Sequence, residues 1–403
     1  MLRAVTLLTL AASAAGAALL APDARWADDV EVRLRTIARL PGAEERAERL
    51  DALWTELREA EQIPWRSDGT AVFLFRGPRE SVAVAGDHNR WNPATGPLTR
   101  VEPLDVWLRR TSFPEDARID YKLVLDGDEW TLDPENEARQ WSGFGPNSEL
   151  AMPAHVGSPW VVAKEDVARG TTSAPKQLSS EHLGREVVYR VHEPAEEHRG
   201  DEPLAVLFVT DGQEYLDPRL GALATVHDNL LAAGRIRPVL LVLVDPRRNG
   251  RNLRASELAA DPRLGRALTE ELLPALEEEY ELTSRAEERG VLGTSLGGVA
   301  AAMICARHRS TIALAAIQSP ALWVVPTAFE EIVSADEARP ARAFVSWGTV
   351  HDGAREARAL VDLYERRDVP VTAMERHEGH SWGQWRALLD DALVALFPAK
   401  DED

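Results

Sequence analysis

Gly293-Thr294-Ser295-Leu296-Gly297-Gly298 follows the apolar run of a strand and opens an Ala-rich helical pattern. Small residues on either side of a serine let a chain turn sharply from strand to helix and leave the hydroxyl exposed. That geometry suits a nucleophile. The first backbone N–H of the following helix, on Leu296, then faces the hydroxyl and can hold a developing oxyanion. Serine is a weak nucleophile unless a base removes its proton, so a histidine is required, and a carboxylate ordinarily orients that histidine. Of the ten histidines, only His308, His351, His377 and His380 follow Ser295. His308 falls on the helix after the serine and points away from it. His380 lies in Gly379-His380-Ser381-Trp382, between an apolar–polar run (369–374) and an amphipathic helix expected over 384–396. This is the loop expected to carry the base.

The acid should follow the late strand Arg342–Trp347, which selects Asp352 in Trp347-Gly348-Thr349-Val350-His351-Asp352. The alternative is a Ser-His dyad whose imidazole is oriented by a carbonyl or water. Glu356 and Asp362 belong to the next helix. A second oxyanion donor is expected after an early strand, where Gly212 permits a tight turn and presents the N–H of Gln213. His377 and His380 are three apart with Gly between them, unlike the four-residue spacing of metalloprotease helices, so no metal is expected. The chemistry needs no cofactor.

The elements that must position these residues fall into two blocks. Residues 28–66 carry two short amphipathic helices, and residues 67–155 change to strand-like alternation. Residues 156–180 are rich in Pro, Gly, Ser and Thr and are expected to form a connector leading into the second domain, residues 181–400. There Ala205–Val209 and Val239–Val244 are continuous apolar runs, as in strands covered on both faces, and they alternate with helical patterns. The expected class is α/β with a mostly parallel sheet, preceded by a small all-β sandwich.

Charge and compartment narrow the partners. Lys and Arg number 46 against 66 Asp and Glu, a formal net charge of -20, which argues against nucleic acid or an anionic membrane surface. A small-molecule ester is the expected partner. Residues 1–27 begin Met-Leu-Arg and run through an apolar, Ala-rich stretch, as in a secretory signal peptide, so a periplasmic or secreted protein is expected. Cys305 is the only cysteine and falls on the helix after Ser295, which excludes an intramolecular disulfide.

Two resemblances add to this. Val84–Asn92 and Tyr121–Trp130 resemble the immunoglobulin-like modules that precede isoamylase-type and glycogen-branching enzymes. That likeness implies sugar stacking on Trp91, Trp107, Trp130 or Trp141, although tryptophans in such sandwiches more often fill cores and interfaces. The second domain resembles the esterase D family, most closely the bacterial enterochelin (ferric enterobactin) esterases. The matching pieces are Asp211-Gly212-Gln213, Arg254–Leu258, Glu270–Pro274, Gly293–Gly298, Gly379–Trp382 and Trp385-Arg386. It implies an α/β-hydrolase domain that cleaves esters with Ser295 as nucleophile and His380 as base, and with Arg254 near an anionic or catecholate substrate. A salt bridge to Glu257 is the competing role for Arg254. The acid loop departs from the family by one residue, placing His351 where many relatives carry the carboxylate. The sugar-enzyme character of the first module raises a feruloyl or acetyl carbohydrate ester as the alternative substrate. Acyl transfer to an acceptor alcohol uses the same fold and the same Ser-His chemistry. A non-catalytic periplasmic binding protein of this fold would need neither Ser295 nor His380, and both are intact.

Overall fold

The computed structural model describes residues 25–67, 69–334 and 339–399; the expected signal peptide lies almost entirely outside them. Helices Arg25–Ala38 and Ala43–Glu59 form a layer against the strand-rich module, the first starting ahead of the boundary expected at residue 28. Val30, Leu34, Ile37, Leu50, Leu53, Trp54 and Leu57 pack onto Val72, Leu74, Val106 and Leu108 of that module. No helix among the described residues is long and apolar enough to cross a membrane.

The module holds a four-stranded sheet, in the order Trp65–Ser67, Thr70–Arg76, Val106–Ser112, Thr99–Arg100, and a five-stranded sheet built on Val82–Gly86, Arg118–Leu125, Gly145–Ala151 and Arg139–Ser142, with Glu129–Thr131 beside Arg118–Leu125. All their pairings are antiparallel. Phe73, Val84, Trp107, Ile119, Tyr121 and Leu123 fill the space between the sheets.

The second domain is organised by a nine-stranded sheet. Its centre runs Val239–Asp245, Ala205–Val209, Arg289–Thr294, Leu314–Gln318, Arg342–Gly348, Val371–Arg376, each parallel to the next. One edge is antiparallel: Arg185–Glu193 pairs with Val239–Asp245, and Thr171–Thr172 and Lys176–Ser180 pair with Arg185–Glu193. Part of the expected connector is therefore sheet. Its small and polar residues suit an edge strand, which is bonded on one side only.

The central strands are apolar throughout because both faces are covered. One face meets helices Leu296–His308 and Ala354–Arg366, and the other meets Leu223–Ala232 and the C-terminal helices. The helix expected over 384–396 is two pieces, Trp382–Ala387 and Leu389–Leu396. Cys305 is buried against the sheet, its Sγ 3.2 Å from Leu314 O. Parallel strands point their carboxyl ends the same way, so the loops after Val209, Thr294, Gln318, Gly348 and Arg376 gather at one edge of the sheet.

Candidate active site

Ser295 stands at the junction of strand Arg289–Thr294 and helix Leu296–His308, with φ 60° and ψ −119°. A non-glycine residue adopts this conformation only when its surroundings dictate it. Here they do. A Cβ on Gly293 would lie 2.2 Å from Gly297 O, and one on Gly297 would lie 2.4 Å from Thr210 Oγ1, so strand and helix approach as closely as only glycine allows. Ser295 N donates to Gln318 O at 2.9 Å, and Ala321 N donates to Ser295 O at 3.1 Å, fixing the turn to the neighbouring strand.

His380 Nε2 is 2.8 Å from Ser295 Oγ, and His380 Nδ1 bonds Asp352 Oδ1. An ionised carboxylate only accepts, so the Nδ1 position carries the ring proton and the Nε2 lone pair faces the serine hydroxyl. Asp352 is buried, and its other oxygen accepts from Gly348 N and Ser319 Oγ, both at 2.6 Å. The extra residue in the acid loop thus leaves Asp352, not His351, on the imidazole. His351 turns out with φ 57° and takes a 3.3 Å bond from Arg90 Nε.

Behind the acid lies a network that sequence reasoning missed. Ser319 Oγ accepts from Trp385 Nε1 at 2.9 Å and sits 2.8 Å from the Gln384 side-chain amide. Its single proton goes to the carboxylate, the stronger acceptor, so the Gln384 amide presents its NH₂ to Ser319. That orientation also satisfies the Gln384 nitrogen, which otherwise has no partner. Ser319 follows an apolar strand, with φ 43°; the one sequence signal was its place on a strand-end loop of the same sheet edge. Trp385 and Trp323 flank the His380 ring edge-on, with centroids 5.0 and 5.4 Å away. Trp323 is 44% exposed and gives the site an aromatic wall open to solvent.

On the other side, Asp211 turns left-handed (φ 53°) into helix Gly212–Leu216. Gln213 is the second residue of that helix, where a backbone N–H has no intrahelical partner. Leu296 occupies the first position of its own helix. Arg254 joins the two: its Nε donates to Asp211 Oδ2 at 2.9 Å and one Nη donates to Thr294 O at 3.0 Å. The competing pairing with Glu257 is not formed; Glu257 is taken by Arg185 from the antiparallel strand. Burial pushes the Asp211 carboxyl above its ordinary range against the opposing pull of Arg254. Glu214 is raised as well, by burial and by Asp211.

The remaining candidates lie elsewhere. His308 contacts Thr269 at 3.4 Å, and His377 pairs with Asp116 at 2.6 Å. Glu356 and Asp362 fall in helix Ala354–Arg366. Among the described residues, one cluster has metal-ligand types, His192, His227 and Asp228. It forms a buried hydrogen-bonded group in which His192 Nε2 is 2.9 Å from Asp228 Oδ1, on the antiparallel side of the sheet. Of the four tryptophans considered for sugar stacking, Trp107 is in the module core, Trp91 bonds Asp87, and Trp141 carries Arg219 over its ring at 4.4 Å. Trp130 is 46% exposed.

A sequence model of the Esterase family matches residues 180–396. No curated protein matches the chain. Among solved structures, the fold is similar to the enterobactin esterase of Shigella flexneri crystallised with enterobactin (TM-score 0.67, 19% identity, 81% of this chain and 92% of that chain). It is similar also to the ferric enterobactin esterase of Salmonella typhimurium (TM-score 0.66, 18% identity, 81% and 93%). At such identities the likeness is one of fold, and it extends over the strand-rich module as well as the sheet domain. The family match covers more than half of the chain, which therefore belongs to the Esterase family and is a carboxylic ester hydrolase.

Proposed function

We propose that the chain hydrolyses esters through a Ser295-His380-Asp352 triad, with the N–H groups of Leu296 and Gln213 as the oxyanion hole. One observation carries this: an unbroken hydrogen-bonded line from Ser295 Oγ through both ring nitrogens of His380 to a buried carboxylate. Ser295 attacks the carbonyl carbon while His380 takes its proton, and the tetrahedral oxygen is held by the two N–H groups. His380 then gives the proton to the leaving alcohol, and water activated by the same nitrogen releases the acid. The residues supply every proton transfer, so no cofactor enters.

The proposed substrate is a small ester with a planar aromatic acyl group, of the catecholate siderophore kind. Trp323 supports it by offering an exposed indole beside His380. A feruloyl carbohydrate ester shares the aromatic acyl group; with Trp91, Trp107 and Trp141 already engaged, Trp130 is the one of the four tryptophans left for sugar stacking. We propose the module to be of the immunoglobulin-like kind, as its two antiparallel sheets suggest, and the protein to be exported, on the apolar N-terminal stretch. The test is labelling with a fluorophosphonate followed by peptide mass spectrometry, with turnover of catecholate, feruloyl and short-chain acyl esters. Label on the peptide containing Ser295 and preference for aromatic acyl esters are expected; folded protein without label overturns the assignment.

Arg254 gives a second expected outcome. Because two of its N–H groups hold Asp211 and Thr294, replacing it loosens both oxyanion donors as well as any contact to an anionic substrate. Arg254→Met should lower kcat for a neutral p-nitrophenyl ester by about 10- to 100-fold, within the range for a weakened oxyanion site. Steady-state kinetics check this: a rise in KM alone, confined to anionic substrates, would assign Arg254 to substrate binding only.

A further inference from the structure

We infer that the strand-rich N-terminal module is part of the catalytic apparatus, and that Arg118 is the positioning residue through which it holds His380 in place. This rests on the triad proposed above. His380 sits in a loop between strand Val371–Arg376 and helix Trp382–Ala387, and its neighbours on both sides are held by the module. Arg118 N donates to His377 O at 3.0 Å. Arg118 Nη1 donates to Ser381 Oγ at 3.0 Å and lies 3.5 Å from Glu378 Oε2. Gly379 rests on Asp87, where a Cβ would come within 2.2 Å of the carboxyl carbon, and Gly383 rests on the Arg118 guanidinium, where a Cβ would be 2.1 Å from Cζ. Those two glycines are thus required by the module, not by the loop's own turn.

The acid loop is held from the same side. Val350 packs against the module core and Val350 N donates to Glu378 O at 3.1 Å, so the loops of Asp352 and His380 are tied to each other over the module. The guanidinium is fixed in turn. It is almost fully buried and meets Asp120 at 2.7 Å and Glu149 at 2.9 Å besides Glu378. Arg376 Nε donates to the remaining Glu378 oxygen at 2.8 Å. Asp87 accepts from Asp120 N at 2.8 Å and Trp91 Nε1 at 3.1 Å. Burial and the nearby Asp120 push the Asp87 carboxyl well above its ordinary range.

A rigid, buried strut suits a base whose nitrogen must stay within hydrogen-bond reach of Ser295, since a shift of about 1 Å at a reacting group costs on the order of 100-fold in rate. An interface serving only to join two domains would tolerate such a shift.

The test uses the full chain. Arg118→Lys keeps a positive charge among the carboxylates but cannot span Ser381 and Asp120 together. The readout is kcat per Ser295 titrated by fluorophosphonate, with KM and Tm alongside. A fall in kcat per titrated site of about 10- to 100-fold, with KM within about twofold, is expected. A merely structural role lowers Tm and the number of titratable sites but leaves kcat per site unchanged, and that result overturns the inference. Should Arg118→Lys fail to fold, Ser381→Ala removes only the acceptor, leaves no charge unpaired, and should still lower kcat per site about 5-fold or more; wild-type kcat in that variant overturns the inference. Absence of label on the wild type would instead remove the triad on which the inference rests.

Discussion

Ser295→Ala is expected to lower kcat for a p-nitrophenyl ester by about 10⁵- to 10⁶-fold, the scale of losing the nucleophile of a hydrolytic triad. The substitution is clean because Ala keeps the Cβ that already occupies the φ 60° turn, and because the hydroxyl's hydrogen-bond partner is His380 Nε2. The elbow is held by Ser295 N on Gln318 O and by the close approach of Gly293 and Gly297 to their neighbours, none of which involves Oγ. Stability should therefore stay within about 0.5 kcal/mol of the wild type, as for a substitution that opens no cavity and orphans no buried group. The proposed oxyanion donors on Leu296 and Gln213 survive and should leave a residual acceleration of about 10³-fold over the uncatalysed reaction. Steady-state turnover and fluorophosphonate labelling check this together. A variant that folds and retains more than a tenth of wild-type kcat would remove Ser295 from the nucleophile's position.

What could be read from the chain without coordinates follows from how local each constraint is. The elbow is local: Gly293 meets Gly297 across the turn, while Gly297 and Gly298 meet Thr210 and Gln318 of the neighbouring strand ends, and the resulting run of small residues around Ser295 survives in the string of residues. His380 and Asp352 were legible from their order on successive strand-end loops, which a parallel sheet collects at one edge. Ser319 and Gln384 were not, because their value depends on three loops meeting behind one carboxylate.

Arg254 shows how nearness in sequence misleads. Glu257 is three residues away on the same helical turn, yet the antiparallel strand brings Arg185 to Glu257 and leaves Arg254 to Asp211. Arg118 and Asp120 mislead differently. In an alternating strand their face reads as solvent, and here it is the surface on which the sheet domain docks, so both are buried. The tryptophans follow the same logic: three of the four are engaged in the module or at its contact with the sheet domain.

Asp352→Asn is expected to lower kcat by about 10⁴-fold while leaving the site's geometry intact. The reason lies in the donors that face the carboxylate. Gly348 N–H and the Ser319 hydroxyl both point at Oδ2, so an asparagine places its carbonyl oxygen there and turns its NH₂ toward His380. The imidazole must then accept at Nδ1 and carry its proton on Nε2. In that tautomer the nitrogen facing Ser295 has no lone pair to take the hydroxyl proton. Gly348 N–H makes the outcome definite, because a backbone N–H only donates and so keeps the amide oxygen on its side. Asp352→Asn should consequently be at least as slow as Asp352→Ala, in which no side chain selects the tautomer. Rates of the two variants on a p-nitrophenyl ester decide this. A clearly faster Asn variant would mean that the choice of tautomer contributes nothing.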